Sequence, residues 1–270
     1  MKRLLAGPRA VGEALRGRGA ASVAVVYVDA RERRALREIT EAASARRVRL
    51  EEIERADLDR LAGDLRHQGV LAIAGEYPYV DVETILAAAE ERPLVVALDQ
   101  VTDPHNFGAI VRSAVAFGAD GVVTTKDRAA PVTPVVVRAS AGATEHARIA
   151  RVTNLARALD ELRDHGLEAI GLAGDGDSRL ADVPGAPGGR VLVIGSEGTG
   201  LRRLVRARCD RIARIDMPGP LASLNASVAA GIALYESARL RHGPAHGEEE
   251  AGAKAAPPPD RARVHPHGRR

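Results

Sequence analysis

The sequence predicts an α/β protein built around a mostly parallel β-sheet. The first observation is a series of apolar runs of strand length, which recurs along the chain from Leu94 onward. The second is that stretches of helical periodicity separate these runs, and alternating strands and helices form parallel sheets covered on both faces. The third is the composition: 45% of the residues are apolar and only 2% aromatic, so aliphatic side chains must build the core.

A smaller α/β unit is expected to precede this sheet. Its predicted elements are a helix over 9–17, a strand over 22–29, an amphipathic helix over 31–47, and strands over 48–53 and 69–75. The amphipathic helix is indicated by Leu36, Ile39 and Ala43, which share one face at helical spacing. A proline and a short acidic helix follow, and we interpret them as the connection between two domains.

The larger unit carries the repeated strand and helix pattern. Its predicted strands cover 94–99, 121–125, 147–151, 168–174, 190–195 and 211–216, and its helices 107–117, 134–143 and 155–164, a short Arg-rich segment and a long final helix. The expected domain division is 1–76, a linker over 77–93, a main domain over 94–242, and a tail over 243–270. The tail is rich in Pro, Gly, Ala and charge without apolar periodicity, a composition typical of disorder.

Composition excludes several classes of protein. Lys and Arg number 39 against 36 Asp and Glu, a mildly basic balance, and the shortage of aromatics argues against a base-stacking RNA-recognition module. Cys209 is the single cysteine, which excludes an intramolecular disulfide and a cysteine metal cluster. Neither a signal peptide nor a bilayer-spanning apolar run is present, so a cytoplasmic protein with no membrane partner is expected.

The most informative segment is 215–236, which passes from a strand through a turn into the final helix. The turn contains Pro218 and Pro220 and ends in Ser223-Leu224-Asn225. Small residues fill the helix that follows, which lets another backbone come close. The polar residues lie beside a helix N-terminus, where free backbone amides can hold a small ligand.

A second candidate is the segment 98–123. A strand ends at Asp99, a polar loop follows, and Asn106 is expected to cap the next helix, with Arg112 about two turns further along. A cap and a solvent-exposed arginine of purely structural character would give the same pattern.

A third candidate is the segment 192–205, where a buried strand runs into a glycine-rich loop that carries Glu197 between Gly195 and Gly198. Glycines let a backbone approach a ligand closely. The loop lacks the Lys-Ser/Thr of a phosphate-binding P-loop. A glycine-rich loop by itself is weak support for any one function.

Together, in this order, the three segments resemble the signature motifs of the SpoU (TrmH-like) RNA 2′-O-ribose methyltransferases over about 94–240. Asn106 and Arg112 match the first motif; Gly195, Glu197 and Gly198 match the second; Ser223, Leu224 and Asn225 match the third. The N-terminal unit, with His67-Gln68-Gly69-Val70 before a strand, resembles the L7Ae/L30e-like domain of the subgroup that methylates a guanosine in 23S ribosomal RNA.

The resemblance implies a fold, a cofactor and roles for residues. The fold would be of the SPOUT type, with a C-terminal trefoil knot. The cofactor would be S-adenosylmethionine, contacted by Gly195, Ile215 and Leu224 through their main chains, with Gly198 and Met217 beside them. The partners would be ribosomal RNA and a second copy of the chain, without a metal.

The resemblance also implies which residues act on the substrate. Arg112 would be the catalytic residue; because arginine keeps its proton in proteins, we expect it to hold a phosphate and stabilise the developing alkoxide. The residues expected to organise the site are Asn106, Glu197, Ser223 and Asn225. The turn departs from the family pattern at Asp216, Pro218 and Pro220, which puts the geometry of the cofactor loop in question.

Other functions remain compatible with the sequence. The same chemistry on a transfer RNA or on a ribosomal adenosine is the nearest alternative. A non-catalytic RNA-binding assembly factor with this fold is a second. A dinucleotide-dependent oxidoreductase is a third, disfavoured because the first strand–helix turn lacks the glycine fingerprint.

Overall fold

The computed structural model describes residues 3–221 and 223–242, and the tail for which disorder was expected lies outside these residues. The N-terminal elements are β1 (Arg3–Ala6), α1 (Pro8–Arg16), β2 (Val23–Asp29), α2 (Arg37–Ala45), β3 (Arg49–Ile53), α3 (Arg55–Ala62) and β4 (Val70–Ala74). Their strands form one sheet in the order β1-β4-β2-β3, in which only β2 and β3 are parallel.

The remaining elements build a seven-stranded sheet. They are α4 (Val82–Ala87), β5 (Leu94–Leu98), α5 (Pro104–Ala116), β6 (Gly121–Thr125), α6 (Pro134–Ala139), β7 (Ile149–Val152), α7 (Leu155–Asp164), β8 (Glu168–Leu172), β9 (Ser178–Arg179), β10 (Arg190–Ile194), α8 (Arg203–Arg206), β11 (Arg211–Arg214) and α9 (Ala226–His242). The strand order is β7-β6-β5-β10-β8-β11-β9, and every pair is parallel. The predicted α/β class with a mostly parallel sheet is confirmed.

Helices cover both faces of this sheet. The helices α5, α6 and α9 pack on one face through residues such as Ile110, Val136 and Ala230. On the opposite face lie α4, α7 and α8, represented by Ile85 and Leu159. Both faces of the sheet are covered, so β5, β6 and β10 are buried along their whole length, and apolar residues dominate them, as the sequence pattern indicated. In the part of the chain described, no helix is both long and apolar enough to cross a membrane.

The order of the strands creates a crevice between β5 and β10. From β5 the chain moves outward to β6 and β7, whereas from β10 it moves in the other direction to β11. The loops that follow β5 and β10 therefore diverge at the carboxyl ends of neighbouring strands. Ligands of open parallel sheets bind at such a switch point.

Several predicted elements differ from the structure. The helix expected over 31–47 begins only at Arg37, because the Asp29 side chain and carbonyl accept from the amides of Arg31 and Glu32 and fold that stretch into turns. The strand expected to run to 216 ends at Arg214. The helix expected over 134–143 ends at Ala139, and a short 3₁₀ turn follows.

Three elements were not predicted: β1, α3 and the two-residue strand β9. Both strands are too short for alternation to show. The domain boundaries proposed from the sequence stay a prediction, as does the knot. Within the described residues, one sheet falls inside 3–74 and the other inside 94–214.

Candidate active site

A cavity of about 670 Å³ lies at the carboxyl ends of β8, β10 and β11. Its wall combines the loop after each of these strands with the start of α9. The lining residues used below are Asp175, Gly195, Glu197, Gly198, Leu201, Arg206, Ile215, Met217, Ser223, Leu224 and Asn225. The cavity lies at the carboxyl ends of the strands, where parallel sheets bind ligands, and on the β8 side of the switch point between β5 and β10. Its volume suits a cofactor-sized molecule.

The loop over 195–201 is a tight turn in which glycine is required at two positions. A Cβ on Gly195 would lie 2.3 Å from the carbonyl carbon of Gly200, so the two sides of the loop could not close around a larger residue. Gly198 has a φ of +85°, which L side chains rarely adopt. Ser196 and Gly200 exchange both backbone hydrogen bonds, at 3.2 and 3.0 Å. The close packing leaves the loop's main chain facing the cavity.

Glu197 joins the three motifs in one hydrogen-bond network. Its Oε1 accepts from Nδ2 of Asn106 at 3.0 Å and from Nδ2 of Asn225 at 2.5 Å. The second asparagine also donates to Oδ1 of the first at 2.9 Å. Bonds to an ionised carboxylate are stronger than bonds between neutral groups. Three residues distant in sequence are thereby held together at the rim of the cavity.

Asn225 has a second role, because it begins the final helix. Its Oδ1 accepts from the amides of Ser227 and Val228 and from the Ser227 hydroxyl, at 2.9, 3.4 and 2.6 Å. This is the N-cap arrangement, in which a side-chain oxygen satisfies amides that the helix leaves free. Glu197 also accepts weakly, at 3.4 Å, from the amide of Ala226. Its negative charge therefore lies at the positive end of the helix dipole.

The prediction that Asn106 caps its helix is wrong. Asp103 is the cap of α5, and its carboxylate accepts from the amides of His105 and Asn106 at 3.1 and 3.2 Å. Pro104 follows at the first helical position, which proline favours because its missing amide would be unpaired there. Asn106 therefore lies within the first turn, and its buried side chain is free to bind Glu197.

All the residues expected at the cofactor line the cavity: Gly195, Gly198, Ile215, Met217 and Leu224. Within the described residues, Gly198, Met217 and Leu224 make no hydrogen bond, so their main-chain groups are available to a ligand. The cavity thus offers free backbone groups and apolar side chains beside the polar side chains of its rim.

Two polar residues predicted for the site take no part in this hydrogen-bond network. Ser223 is exposed and lines the cavity, but it makes no hydrogen bond with the described residues. Arg112 is exposed on α5, does not line the cavity, and forms no ion pair within the part of the chain described. Six residues separate it from Asn106, which places it about 9 Å further along the helix axis.

An ion pair at the rim was missed in the sequence. Arg206 Nη1 lies 2.9 Å from Oδ1 of Asp175, and both residues line the cavity. The hydrogen bond from Arg206 lowers the pKa of the Asp175 carboxyl, so that side chain is negatively charged at neutral pH. The available signal was the position of Asp175, a polar residue shortly after the buried strand β8.

His67, in the segment that resembles the L7Ae/L30e-like domain, has its side chain engaged within the protein. It is buried, its Nε2 lies 2.8 Å from Oδ1 of Asp59, and its Nδ1 accepts from the amide of Gly69 at 3.1 Å. It fixes the turn that leads into β4.

Comparison with known proteins gives the class of this protein. AviRb, a SpoU methyltransferase from Streptomyces viridochromogenes whose structure was solved with the cofactor AdoMet, superimposes with a TM-score of 0.75 at 31% identity, covering 90% of this chain and 91% of its own. An AdoMet-bound rRNA methyltransferase from Sinorhizobium meliloti superimposes with a TM-score of 0.73 at 25% identity, covering 89% and 87%. The fold is that of SpoU-type RNA methyltransferases, for which S-adenosylmethionine is the methyl donor.

Sequence comparison then gives the family. The model of the SpoU rRNA methylase family matches residues 93–235, and the model of the RNA 2′-O ribose methyltransferase substrate-binding domain matches residues 4–80. A relative from Mycolicibacterium vanbaalenii, described as an uncharacterized tRNA/rRNA methyltransferase, is 44% identical over 88% of this chain. The chain belongs to the SpoU methylase family. It spans 62% to 76% of the length of the first curated relatives it matches.

The residues at the cavity fit S-adenosylmethionine, the cofactor of the family. The ligand has a positively charged sulfonium, and the lining includes the carboxylates of Asp175 and Glu197. Its adenine and ribose require hydrogen-bonding partners and apolar surface, which the free main-chain groups and Leu224, Ile215 and Leu201 offer. The lining of the cavity therefore provides a partner for each of these parts of the cofactor.

Proposed function

We propose that this protein transfers a methyl group from S-adenosylmethionine to the ribose 2′-hydroxyl of a guanosine in 23S ribosomal RNA. The observation that carries the proposal is the network of Asn106, Glu197 and Asn225 at the rim of the cavity. All three motifs of a ribose methyltransferase meet there, around a site suited to the cofactor. The cytoplasm, where ribosomes are assembled, is the expected compartment.

A ribosomal RNA is favoured over a transfer RNA by the N-terminal unit. The substrate-binding family model matches residues 4–80, and the rRNA methyltransferase from Sinorhizobium meliloti superimposes over 89% of this chain, a share that must include part of that unit. Guanosine is the base expected from the subgroup that the sequence resembles. Transfer RNA and a ribosomal adenosine are the competing substrates for the test below.

We assign binding and orientation to the residues of the network. Bound S-adenosylmethionine supplies an electrophilic methyl group, and the rate gain comes largely from placing the 2′-oxygen in line with it. Glu197 and Asn225 fix the glycine-rich loop against the start of α9, so both walls of the cavity keep a fixed separation. Asn106 ties this pair to α5, the helix that carries Arg112.

Arg112 is the proposed catalytic residue. Its guanidinium is exposed and has no ion-pair partner within the described residues, so it is available to an RNA phosphate. A guanidinium keeps its proton, which excludes it as a proton acceptor at neutral pH. Held on a phosphate by its fork of donors, it stabilises the negative charge that develops on the 2′-oxygen.

A homodimer is proposed because an apolar face of α9 is uncovered. Val228, Ile232 and Tyr235 follow at spacings of four and three residues and are 49%, 36% and 54% exposed, so they share one side of the helix. Leu221 and Leu224 continue the apolar surface beyond the helix start. Such a contiguous patch is typical of a protein interface. A second copy could also bring its Arg112 to this cavity, which Arg112 of the same chain does not line.

The C-terminal trefoil knot is also proposed. The chain leaves the glycine-rich loop, builds α8 and β11, and returns at Asn225 and Ala226 to contact Glu197 of that loop. The return is the contact that a threaded chain requires. An experimental structure in which 215–225 runs outside the loop over 195–201 would contradict it.

The function is tested by methyl transfer from labelled S-adenosylmethionine to unmodified 23S ribosomal RNA, with transfer RNA in parallel. The product is mapped by ribose-methylation sequencing. We expect a single 2′-O-methylguanosine in the 23S RNA and none in transfer RNA. A methylated adenosine or transfer RNA would replace the substrate assignment, and cofactor binding without transfer to any RNA would favour the assembly-factor alternative.

Arginine variants test the catalytic assignment in the same assay. Arg112→Ala is expected to lower kcat by about a hundredfold, the size of the loss when one stabilising donor is removed. Arg112→Lys keeps the charge but lacks the fork, so nearly full turnover would refute two-pronged positioning. Arg157→Ala is the matched control, because Arg157 is also exposed, lies on α7 and does not line the cavity.

A further inference from the structure

Asp99 holds both ends of the cofactor loop. It follows β5 and is completely buried. Its amide donates to the carbonyl of Ile194 at 2.8 Å, and its Oδ2 accepts from the amide of Arg202 at 2.8 Å. These two partners are the residues immediately before and after the loop over 195–201. One residue at the end of a neighbouring strand therefore joins the residue before the loop to the residue after it.

The side chain of Arg202 reinforces this neck. Its Nε donates to Oδ1 of Asp99 at 2.7 Å, so both carboxylate oxygens are engaged by one residue. The Asp99 carboxylate is fully buried, whereas the Arg202 side chain is 45% exposed. Among the described ion pairs, Arg202 is the only cation that neutralises the charge of Asp99. A buried charge that loses its partner is costly, so the pair strongly favours the closed neck.

Besides this neck, the loop is held by the bonds of Glu197 to Asn106 and Asn225 and by the packing of Leu201 against the core. Inside 195–201 the hydrogen bonds are the exchange between Ser196 and Gly200 and one between the hydroxyls of Ser196 and Thr199, all near the tip. They shape the turn without attaching it to the sheet. Glu197 reaches α9 from this turn, so the direction of its carboxylate depends on the neck. Fixing the two ends lowers the entropy that a free loop would lose on binding.

We infer that Asp99 is a positioning residue for the cofactor, acting through Arg202 and Ile194 on the loop that carries Gly195, Glu197 and Gly198. The inference rests on the proposed cofactor contacts of that loop. Asp99 itself touches neither the cavity nor, by its placement, the reacting atoms. It sets the position of the loop before the cofactor binds, which is preorganisation in the sense used for binding sites.

The test compares the full-length variants Asp99→Asn, Arg202→Ala and Arg202→Lys with the wild-type protein. Hydrogen exchange of the loop over 195–201 is measured without cofactor, and the Kd of S-adenosylmethionine is measured by calorimetry. We expect faster loop exchange and about a tenfold or larger loss of affinity in Asp99→Asn and Arg202→Ala, the worth of one bond to a charged group. Arg202→Lys should recover part of the affinity, because it restores the charge without the planar fork.

Arg208→Ala is the matched control. Its Nε forms a pair of similar length with Asp160, at 2.9 Å to Oδ1, but the Asp160 carboxylate is 42% exposed, and neither residue lines the cavity. In the transfer assay, the KM for the cofactor should rise in Arg202→Ala while the KM for RNA stays unchanged, a split that general destabilisation would not produce. If Asp99→Asn fails to fold, the two Arg202 variants still decide the question, because they retain the carboxylate.

Unchanged loop exchange and unchanged affinity in a folded Arg202→Ala would overturn the inference. So would an equal loss of affinity in the Arg208→Ala control. A wild-type protein that fails to bind S-adenosylmethionine would overturn the cofactor contacts instead, and the exchange measured without cofactor would still report whether the neck holds the loop.

Discussion

Replacement of Arg3 should destabilise the protein strongly, because this residue belongs to a buried ion pair between the N-terminal unit and the larger unit. Its Nη1 lies 2.8 Å from Oε1 of Glu145, and the side chains are 7% and 1% exposed. A second contact, from Nη2 to Oε2, measures 3.4 Å. Arg3 begins β1, whereas Glu145 follows α6. The pair therefore connects the N-terminal sheet to the helices of the larger one.

The expected size follows from the burial. Removing one partner of a buried, hydrogen-bonded pair costs about 3–5 kcal/mol, because the other charge is left without compensation. Nε of Arg3 also donates to the carbonyl of Gly75 at 3.0 Å, and that bond is lost as well. For a domain of this size, about 2–4 °C of melting temperature is lost per kcal/mol, so Arg3→Met should lower the Tm by about 10 °C.

Urea and thermal unfolding of Arg3→Met, Glu145→Gln and the double variant Arg3→Met/Glu145→Leu would measure this effect. The double variant should recover most of the loss, since a buried pair replaced by apolar side chains is often neutral. Arg239→Ala is the control: its pair with Glu236 is half-exposed and should be worth less than about 1 kcal/mol. A loss below about 1 kcal/mol in Arg3→Met would refute the reasoning.

Three further predictions concern the site and its surroundings. Asn225→Ala should lower stability by about 1 kcal/mol through loss of the helix cap and also weaken cofactor binding, as unfolding and calorimetry would show. Asn225→Asp should keep the cap to the Ser227 amide, but it places a second carboxylate against Glu197, so its loss of stability and binding would come from the network. Gly195→Ala should abolish cofactor binding, measured by calorimetry, because its Cβ would lie 2.3 Å from Gly200. Burial raises the pKa of the Cys209 thiol to about 12, so thiol reagents should react with the native protein far more slowly than with the unfolded chain at pH 8. Since the pKa is higher in the folded state, the stability from this thiol is present below about pH 8.5 and is lost as the pH rises toward 12, which unfolding measured across that range would detect.

Local pattern was sufficient where burial is complete and elements are regular. The strand over Gly121–Thr125 and the helix over Leu155–Asp164 have the predicted bounds. A strand of a parallel sheet is apolar on both faces, and an amphipathic helix repeats its apolar residues every three or four positions, so both leave a signal in the sequence.

Local pattern was misleading where a side chain competed with the helix. The helix predicted from Leu36, Ile39 and Ala43 was extended back to 31, but the bonds to Asp29 form turns there. At α5 the residue chosen as the cap was one turn too late, because Asp103 supplied the cap and Pro104 the first helical position. Short side-chain to backbone bonds of this kind compete with regular structure, and apolar periodicity does not report them.

The sequence by itself determined the fold class, the family resemblance and the motif residues that line the cavity, since these follow from runs of apolar residues and from motifs a few residues long. Tertiary structure decided how the motifs combine. Asn106 and Glu197 are 91 positions apart, and the carboxylate lies 28 positions before Asn225, yet one oxygen binds both amides. The neck at Asp99 likewise exists only because β5 and β10 are neighbours in the sheet. Hydrogen bonds between distant positions depend on which strands pair, and no local pattern encodes that pairing.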